Sequence, residues 1–475
     1  MCRPTRPRVP VRVGGARRGD RAVIDIGAAE VHQEAARQFS RLADLGVQAG
    51  HSVGWLGLNG LEGLGLLQAC RQHGARFVPL NWRLSPIELA DIAQHAGLQH
   101  LLHDGPMNAL AEKVKSLVGL PQPLAPGHEE GDWMVVYTSG TTGRPKGAVH
   151  TVEGMTANME AAIEAQAFSA DTRTLAVLPM FHVGGLCIQV LPTLAAGGRV
   201  LLHERFDPPA WLRDVAHWRP TTSLLVPATM QALLDHPEWA RADLSALQFV
   251  NCGSSVVPRA LIDAFFARGV PVTQVYGSTE TGPVSIVLPL QEASQARGKV
   301  GRPARQVQVQ LVKADGHLAL PGEVGEIWLR APNLMRCYHR EGDSSSFKDG
   351  WFCSGDLAWQ DSQGHFEVVG RCKDMIISGG ENIYPAEIEN CLVGFPQIKE
   401  CAVLAMPDRK WGEIPVLVVV TPTGLPMDEG AIRSRLDVHL ARFKHPRRIV
   451  QVDALPRTAL GKVQKEVLLT RISVA

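Results

Sequence analysis

The sequence predicts an α/β chain: a large N-terminal domain with doubly wound sheets, a small β-barrel within it, and a small α+β C-terminal domain. Three observations carry this. At 475 residues the chain exceeds one compact core. Helical periodicities alternate with short β-branched runs from about residue 33 to 300, the pattern of helices layered on a mostly parallel sheet. The texture then changes twice, near residue 300 and again after Arg371.

The clearest layered unit runs from a strand at 223–226 through a helix from Thr229, a strand at 249–252, a helix opened by Pro258, and a strand at 272–276. Ligands in such sheets bind at the carboxyl ends of the strands, so the loops after Cys252 and Tyr276 are candidates. The strict alternation at 306–311, the hairpin signal Asp315-Gly316, and strands at 326–330 and 365–369 predict the antiparallel barrel within about 300–370. A helix at 385–393, strands near 400–406 and 415–421, and a helix bearing Ile432, Leu436, Leu440 and Phe443 on one face predict the small domain. The hinge falls near 371–374, between a domain at 35–371 and one at 374–475.

Composition narrows the function classes. Charged residues make up 20% and hydrophobic residues 45%, with 48 basic against 47 acidic side chains, so no field of one sign recruits nucleic acid. No apolar stretch reaches the ~18 to 20 residues of a membrane helix. The greasiest run, 416–420, has the length of a buried strand. Nine scattered cysteines, never spaced C-x-x-C, point to a reducing, cytoplasmic compartment rather than disulfides or zinc. The first 20 residues hold six arginines and one acid, lack serine, and are broken by Pro4, Pro7 and Pro10. They read as a disordered or wrongly started N-terminus rather than a transit peptide, and 1–34 is expected to be poorly defined.

The strongest local signal is the run from Val135 to Gly147, Val-Val-Tyr-Thr-Ser-Gly-Thr-Thr-Gly-Arg-Pro-Lys-Gly. A strand leads into hydroxyl residues, glycines and a lysine, which is what polyphosphate recognition needs: accessible N–H groups, hydroxyl donors and a mobile cation. The Walker A pattern is not met, because Lys146 is followed by Gly147 and not by a hydroxyl residue. That argues against a P-loop kinase or ATPase.

This run resembles the signature of the adenylate-forming superfamily, which includes acyl-CoA synthetases, aryl-CoA ligases, luciferases and the adenylation domains of peptide synthetases. Later segments follow in the superfamily's order: Pro179 to Gly185, Tyr276 to Thr281, Trp351 to Asp356, Gly370 to Asp374, Ser378 to Glu389, and Pro456 to Lys462. The resemblance covers roughly residues 35 to 472 and implies an ATP-dependent ligase with a mobile C-terminal domain. A carboxylate would attack the α-phosphorus of ATP to give acyl-AMP and pyrophosphate, and CoA would then displace AMP. Mg²⁺ is the implied cofactor.

By that resemblance, Thr138, Ser139, Gly140, Thr141, Thr142, Gly143 and Lys146 hold the β- and γ-phosphates. Thr279 contacts the α-phosphate and Glu280 holds Mg²⁺, a hard cation that prefers oxygen ligands. Asp356 receives the ribose hydroxyls, Arg371 lies near the ribose and phosphates, and Gly253, Ser254, Ser255, Tyr276 and Gly277 line the adenine pocket. Lys462 bridges the carboxylate and the α-phosphate. Lys373 is the hinge position, and Ser378, Gly379, Gly380 and Glu381 serve the CoA half-reaction. The acyl pocket falls to Phe181, His182, Gly184, Val257, Gly282 and Pro283, with His182 either gating the acid or packing as a core histidine.

Peptide-synthetase domains carry an aspartate where this chain has His182, so an α-amino acid is not the expected substrate. Thirteen residues follow Lys462, too few for a carrier domain, so free CoA is the expected acceptor. The neutral pocket residues, with no arginine evident among them, favour a fatty or aryl monocarboxylate. An acyl-AMP ligase loading a separate carrier protein, or a nucleotide-binding regulator without chemistry, are the alternatives.

Overall fold

The computed structural model describes residues 23–124, 127–138, 146–253, 257–341, 346–378, 381–422, 425–458 and 462–474. Among them, four sheets form. The largest has eight strands, ordered Val23–Ile26, Arg199–His203, Arg173–Ala176, Thr222–Leu225, Phe249–Cys252, Val272–Tyr276, Ile286–Val287 and Arg302–Pro303. Its inner pairings are parallel and its outer ones antiparallel. The expected unit between Thr222 and Tyr276 is present, with the helices Pro227–Leu234 and Arg259–Ala267 as crossovers.

A six-stranded sheet runs Cys337–Tyr338, Lys146–Thr151, Asp132–Thr138, Arg76–Pro79, Ser52–Leu56 and Leu98–His103. Trp133 is fully buried in its core and its indole N–H donates to the Leu67 carbonyl at 2.9 Å, so the aromatic bulk is used without an orphaned donor. The expected barrel takes the form of a five-stranded antiparallel sheet, in which Trp351–Gln360 pairs with Gly325–Arg330, Phe347–Lys348 and Phe366–Arg371. Asp315-Gly316 turns a short inner loop closed by the bridge Val312 to Leu318, while the strand Gln308–Val312 pairs onward with Gly325–Arg330.

In the small domain, Gly412–Val420 sits between Glu400–Asp408 and Arg448–Gln451. Its unbroken apolar run is explained by burial on both faces. Leu417 and Val419 meet the helices Pro385–Leu392 and Glu429–His439, while Val416 and Val418 meet Leu468 and Ile472 of Lys465–Val474. No helix of the described residues is long and apolar enough to cross a membrane.

Two expectations are corrected. The stretch 23–34 is ordered: Val23–Ile26 adds antiparallel to Arg199–His203, and the helix Ala28–Asp44 buries Val31, Ala35, Gln38 and Leu42, one face at helical spacing. Phe443 does not belong to the apolar helix face. The helix Glu429–His439 ends before Leu440, whose backbone is extended, and Phe443 lies 43% exposed in the turn that redirects the chain toward Arg448–Gln451.

His339 and His150 are 2% and 1% exposed. His339 accepts from Arg76 Nη1 at Nδ1 (3.4 Å) and donates from Nε2 to the His95 carbonyl (3.2 Å), a neutral tautomer. Burial pushes its pKa down to about 3, and that of His150 to about 4. In the unfolded chain each titrates near 6.5, so below that pH the unfolded state binds more protons. Stability is therefore expected to fall, by about 1.4 kcal/mol per pH unit per histidine, from 6.5 toward the folded values. Urea denaturation between pH 7 and 5 checks this: His339→Gln should flatten the slope, and an unchanged slope would mean the imidazole is already charged in the fold.

Candidate active site

Thr138 and Lys146 face each other as the last paired residues of antiparallel strands, so the loop between them starts and ends at one point. Ser139, Gly140, Thr141, Thr142 and Gly143 lie outside the described residues, as do Ser254, Ser255, Gly379 and Gly380. The Lys146 ammonium is 3.0 Å from a Glu341 carboxylate oxygen and 4.8 Å from the centre of the Tyr338 ring.

Thr279 and Glu280 sit in the turn between Val272–Tyr276 and Ile286–Val287, at the carboxyl end of the large sheet. Backbone crowding sets this turn: a Cβ at Gly277 would lie 2.4 Å from the Pro283 carbonyl. Glu280 Oε1 accepts from the Tyr338 hydroxyl at 3.0 Å, and buried His150 lies within reach of the Glu280 charge, which opposes the effect of burial on its pKa. Among the described residues no group of three or more His, Cys, Asp or Glu side chains converges. A single carboxylate fits a hard cation whose remaining ligands are phosphate oxygens or water, not a metal caged by protein.

Asp356, 8% exposed, is fixed from two sides. The buried Tyr276 hydroxyl donates to Oδ2 at 2.8 Å and Arg371 Nε to Oδ1 at 2.7 Å. The Asp356 charge raises the Arg371 pKa, while burial together with that same charge pushes the Tyr276 phenol well up. Each carboxylate oxygen has a second lone pair, so a vicinal diol can still be received. Gly253 lies so close to Val275 that a Cβ would come 2.7 Å from its carbonyl oxygen.

Lys462 enters from the small domain. Its segment is closed by the bridge Arg457 to Val463, and its N–H donates to the Thr458 hydroxyl at 3.2 Å. Water reaches the side chain, yet the crowded cleft lowers its pKa, with Arg371 pushing the same way and Asp356 and Glu280 opposing. Lys462, Arg371, Asp356 and Glu280 thus share one electrostatic neighbourhood. Exposed Lys373 at the end of the large domain acts on Lys462 too. Ser378 and Glu381 face each other across a hairpin in the small-domain sheet.

Of the expected acyl-pocket residues, Phe181 is buried and its ring centre lies 4.4 Å from that of His182. A Cβ on Gly184 would meet Ile188 Cδ1 at 4.0 Å, an ordinary van der Waals contact, so a small side chain would fit there. Val257 packs into the core of the large sheet, and Gly282, at φ +58°, is pressed against Asn333. Burial, then Arg83, then Lys462, hold the His182 pKa at about 3, so its imidazole is neutral. Its Nε2 is buried without a partner among the described residues. Asn59 pins this segment by accepting from the Met180 N–H and donating to the Leu178 and His203 carbonyls.

Sequence reasoning missed Trp82, Arg83, Arg205, His150 and Tyr338. The Trp82 and Phe181 rings meet edge to face at 6.4 Å, with the Arg83 guanidinium 5.0 and 5.7 Å from their centres and Arg205 5.6 Å from Trp82. No motif marks these positions; the proximity of Trp82, Arg83 and Arg205 to the Phe181 segment, and of His150 and Tyr338 to Glu280, exists only in three dimensions.

A family model described as AMP-binding enzyme matches residues 14–339, and one described as AMP-binding enzyme C-terminal domain matches 387–462. The chain is 40% identical to an indoleacetate–CoA ligase of Aromatoleum aromaticum over 473 residues, covering 93% of this chain and 92% of that protein. It is 39% identical to a feruloyl-CoA synthase of Amycolatopsis sp, covering 94% of each. The solved o-succinylbenzoate CoA synthetase of Bacillus subtilis, in complex with its acyl-adenylate intermediate, superposes with a TM-score of 0.81 at 29% identity, over 93% of this chain and 92% of that one.

Asp356→Asn keeps the shape but removes the charge that holds Arg371 and that is expected to receive the ribose. AMP affinity, measured by calorimetric titration, is expected to fall about tenfold to a hundredfold. A wild-type affinity would separate Asp356 from nucleotide binding.

Proposed function

The chain belongs to the AMP-binding enzyme family and is an ATP-dependent, AMP-forming acid:CoA ligase, and from that premise we propose that its acid is an aryl carboxylate activated in the cleft between Glu280 and Lys462. The observation that carries the reading is that Lys462, from the small domain, lies within electrostatic reach of Arg371, Asp356 and Glu280. An anionic nucleophile must approach an anionic phosphate, and cations already aimed at the reacting atoms remove that repulsion without reorganising.

In the first half-reaction a carboxylate oxygen bonds to the α-phosphorus as the bond to pyrophosphate breaks. Lys462 lies between the two anions, and Thr279 contacts the α-phosphate. Thr138, Ser139, Gly140, Thr141, Thr142, Gly143 and Lys146 hold the leaving pyrophosphate. Asp356 takes the ribose hydroxyls, while Tyr276, Gly277, Gly253, Ser254 and Ser255 border the base. Glu280 would hold Mg²⁺, which when bound would offset charge on the phosphates. In the second half-reaction the CoA sulfur bonds to the acyl carbon and AMP leaves. The hinge near 371–374, centred on Lys373, exchanges Lys462 for Ser378 to Glu381 between the two steps. The free cysteines among the described residues and the need for ATP and CoA support a cytoplasmic setting.

The aryl preference rests on Trp82, Phe181 and neutral His182, a set of ring faces and edges suited to a flat acid. Arg83 adds a cation beside that pocket, suited to an electron-rich ring or its oxygen substituents. Relatives of similar coverage that act on indoleacetate and ferulate share more identity than those named for fatty acids, 39–40% against 31–34%.

Pyrophosphate release with Mg·ATP across indoleacetate, ferulate, octanoate and palmitate, each with and without CoA, tests the substrate. Aryl acids are expected to lead in kcat/KM; a fatty acid leading would overturn the aryl assignment. Lys462→Ala should lower the adenylation rate by about 10² to 10³ while transfer from preformed acyl-AMP to CoA continues. Equal loss of both halves would sink the role given to Lys462.

A further inference from the structure

The segment 333–341 ties together two loops that the reaction needs. Asn333 Nδ2 donates to the Thr281 and Gly282 carbonyls at 3.0 and 3.1 Å, and the Met335 N–H donates to the Glu280 carbonyl at 2.7 Å. Cys337–Tyr338 then pairs with Lys146–Thr151, setting Tyr338 opposite Ala148, and Glu341 meets the Lys146 ammonium. At the centre Tyr338 is 8% exposed. Its hydroxyl donates to Glu280 Oε1 at 3.0 Å, and its ring centre is 4.8 Å from Lys146 Nζ. One side chain touches both the carboxylate and the lysine whose separation has to match that between a bound cation and the terminal phosphates.

We propose that Tyr338 is a positioning residue for adenylation, orienting Glu280 toward Mg·ATP through its hydroxyl and steadying Lys146 with its ring. A phenol O–H on one carboxylate oxygen fixes the carboxylate plane and leaves the other oxygen's lone pairs for a cation. An aromatic face attracts an ammonium without cancelling its charge, so the lysine stays available to phosphate. The inference rests on the roles given above to Glu280 and Lys146.

Tyr338→Phe in the full chain removes the hydroxyl and keeps the ring. Calorimetric titration of ATP with and without Mg²⁺, and of AMP without metal, reads the effect apart from turnover. The gain in ATP affinity supplied by Mg²⁺ is expected to shrink about tenfold. AMP affinity and the thermal midpoint should stay at wild-type values, and KM for ATP should rise while KM for the acid does not. Tyr338→Leu, lacking the ring as well, should also weaken metal-free ATP binding. An unchanged Mg²⁺ dependence in Tyr338→Phe would overturn the proposal, as would a parallel loss of AMP binding, the mark of a general structural defect. A wild-type chain that binds no Mg·ATP would overturn the roles of Glu280 and Lys146, and this proposal with them.

Discussion

The carboxylate of Asp356 is the junction on which the site depends. It lies on the long strand Trp351–Gln360, accepts from Tyr276 at the end of the eight-stranded sheet, and accepts from Arg371 at the entrance to the small domain. A charge 8% exposed is tolerable only when paired, so the three elements must arrive together or leave an uncompensated ion. The large sheet and two paired strands of the antiparallel sheet are thereby held to one point at the edge of the hinge, and that point lies within electrostatic reach of Lys462.

The same economy of polar contacts runs through the neighbouring loops. Glu280 is held from behind by backbone and hydroxyl donors of the segment that also reaches Lys146, so charges from separate loops share one support. Neutral groups surround them. His182 and His150 are kept uncharged chiefly by burial, which avoids adding positive charge beside Lys462 and Arg83 or beneath the Thr279 turn. A low-dielectric wall of this kind strengthens each remaining charge.

Much of the architecture was legible because period and turn chemistry are local. The strands at 249–252 and 272–276 fall where their β-branched runs end, and 416–420 is a strand buried on both faces. The helix carrying Ile432 and Leu436 was legible, but Phe443 was not, because spacing continues past the residue at which the chain turns. Val23–Ile26 was missed for a related reason. Four residues beside an arginine-rich run carry little pattern, and only pairing with Arg199–His203 makes them a strand.

The sequence by itself determined the element order and the chemical inventory: the hydroxyl, glycine and lysine run, Glu280, Asp356, Arg371 and Lys462. Those are residue types at short spacings, and a string of letters records them in full. Only the tertiary structure decided which charges act on one another, that Arg83 stands beside Phe181, that His182 is neutral, and that Tyr338 joins Glu280 to Lys146. Hydrogen bonds, desolvation and charge coupling act over a few ångströms of space, and the partners they join here lie tens to hundreds of residues apart along the chain.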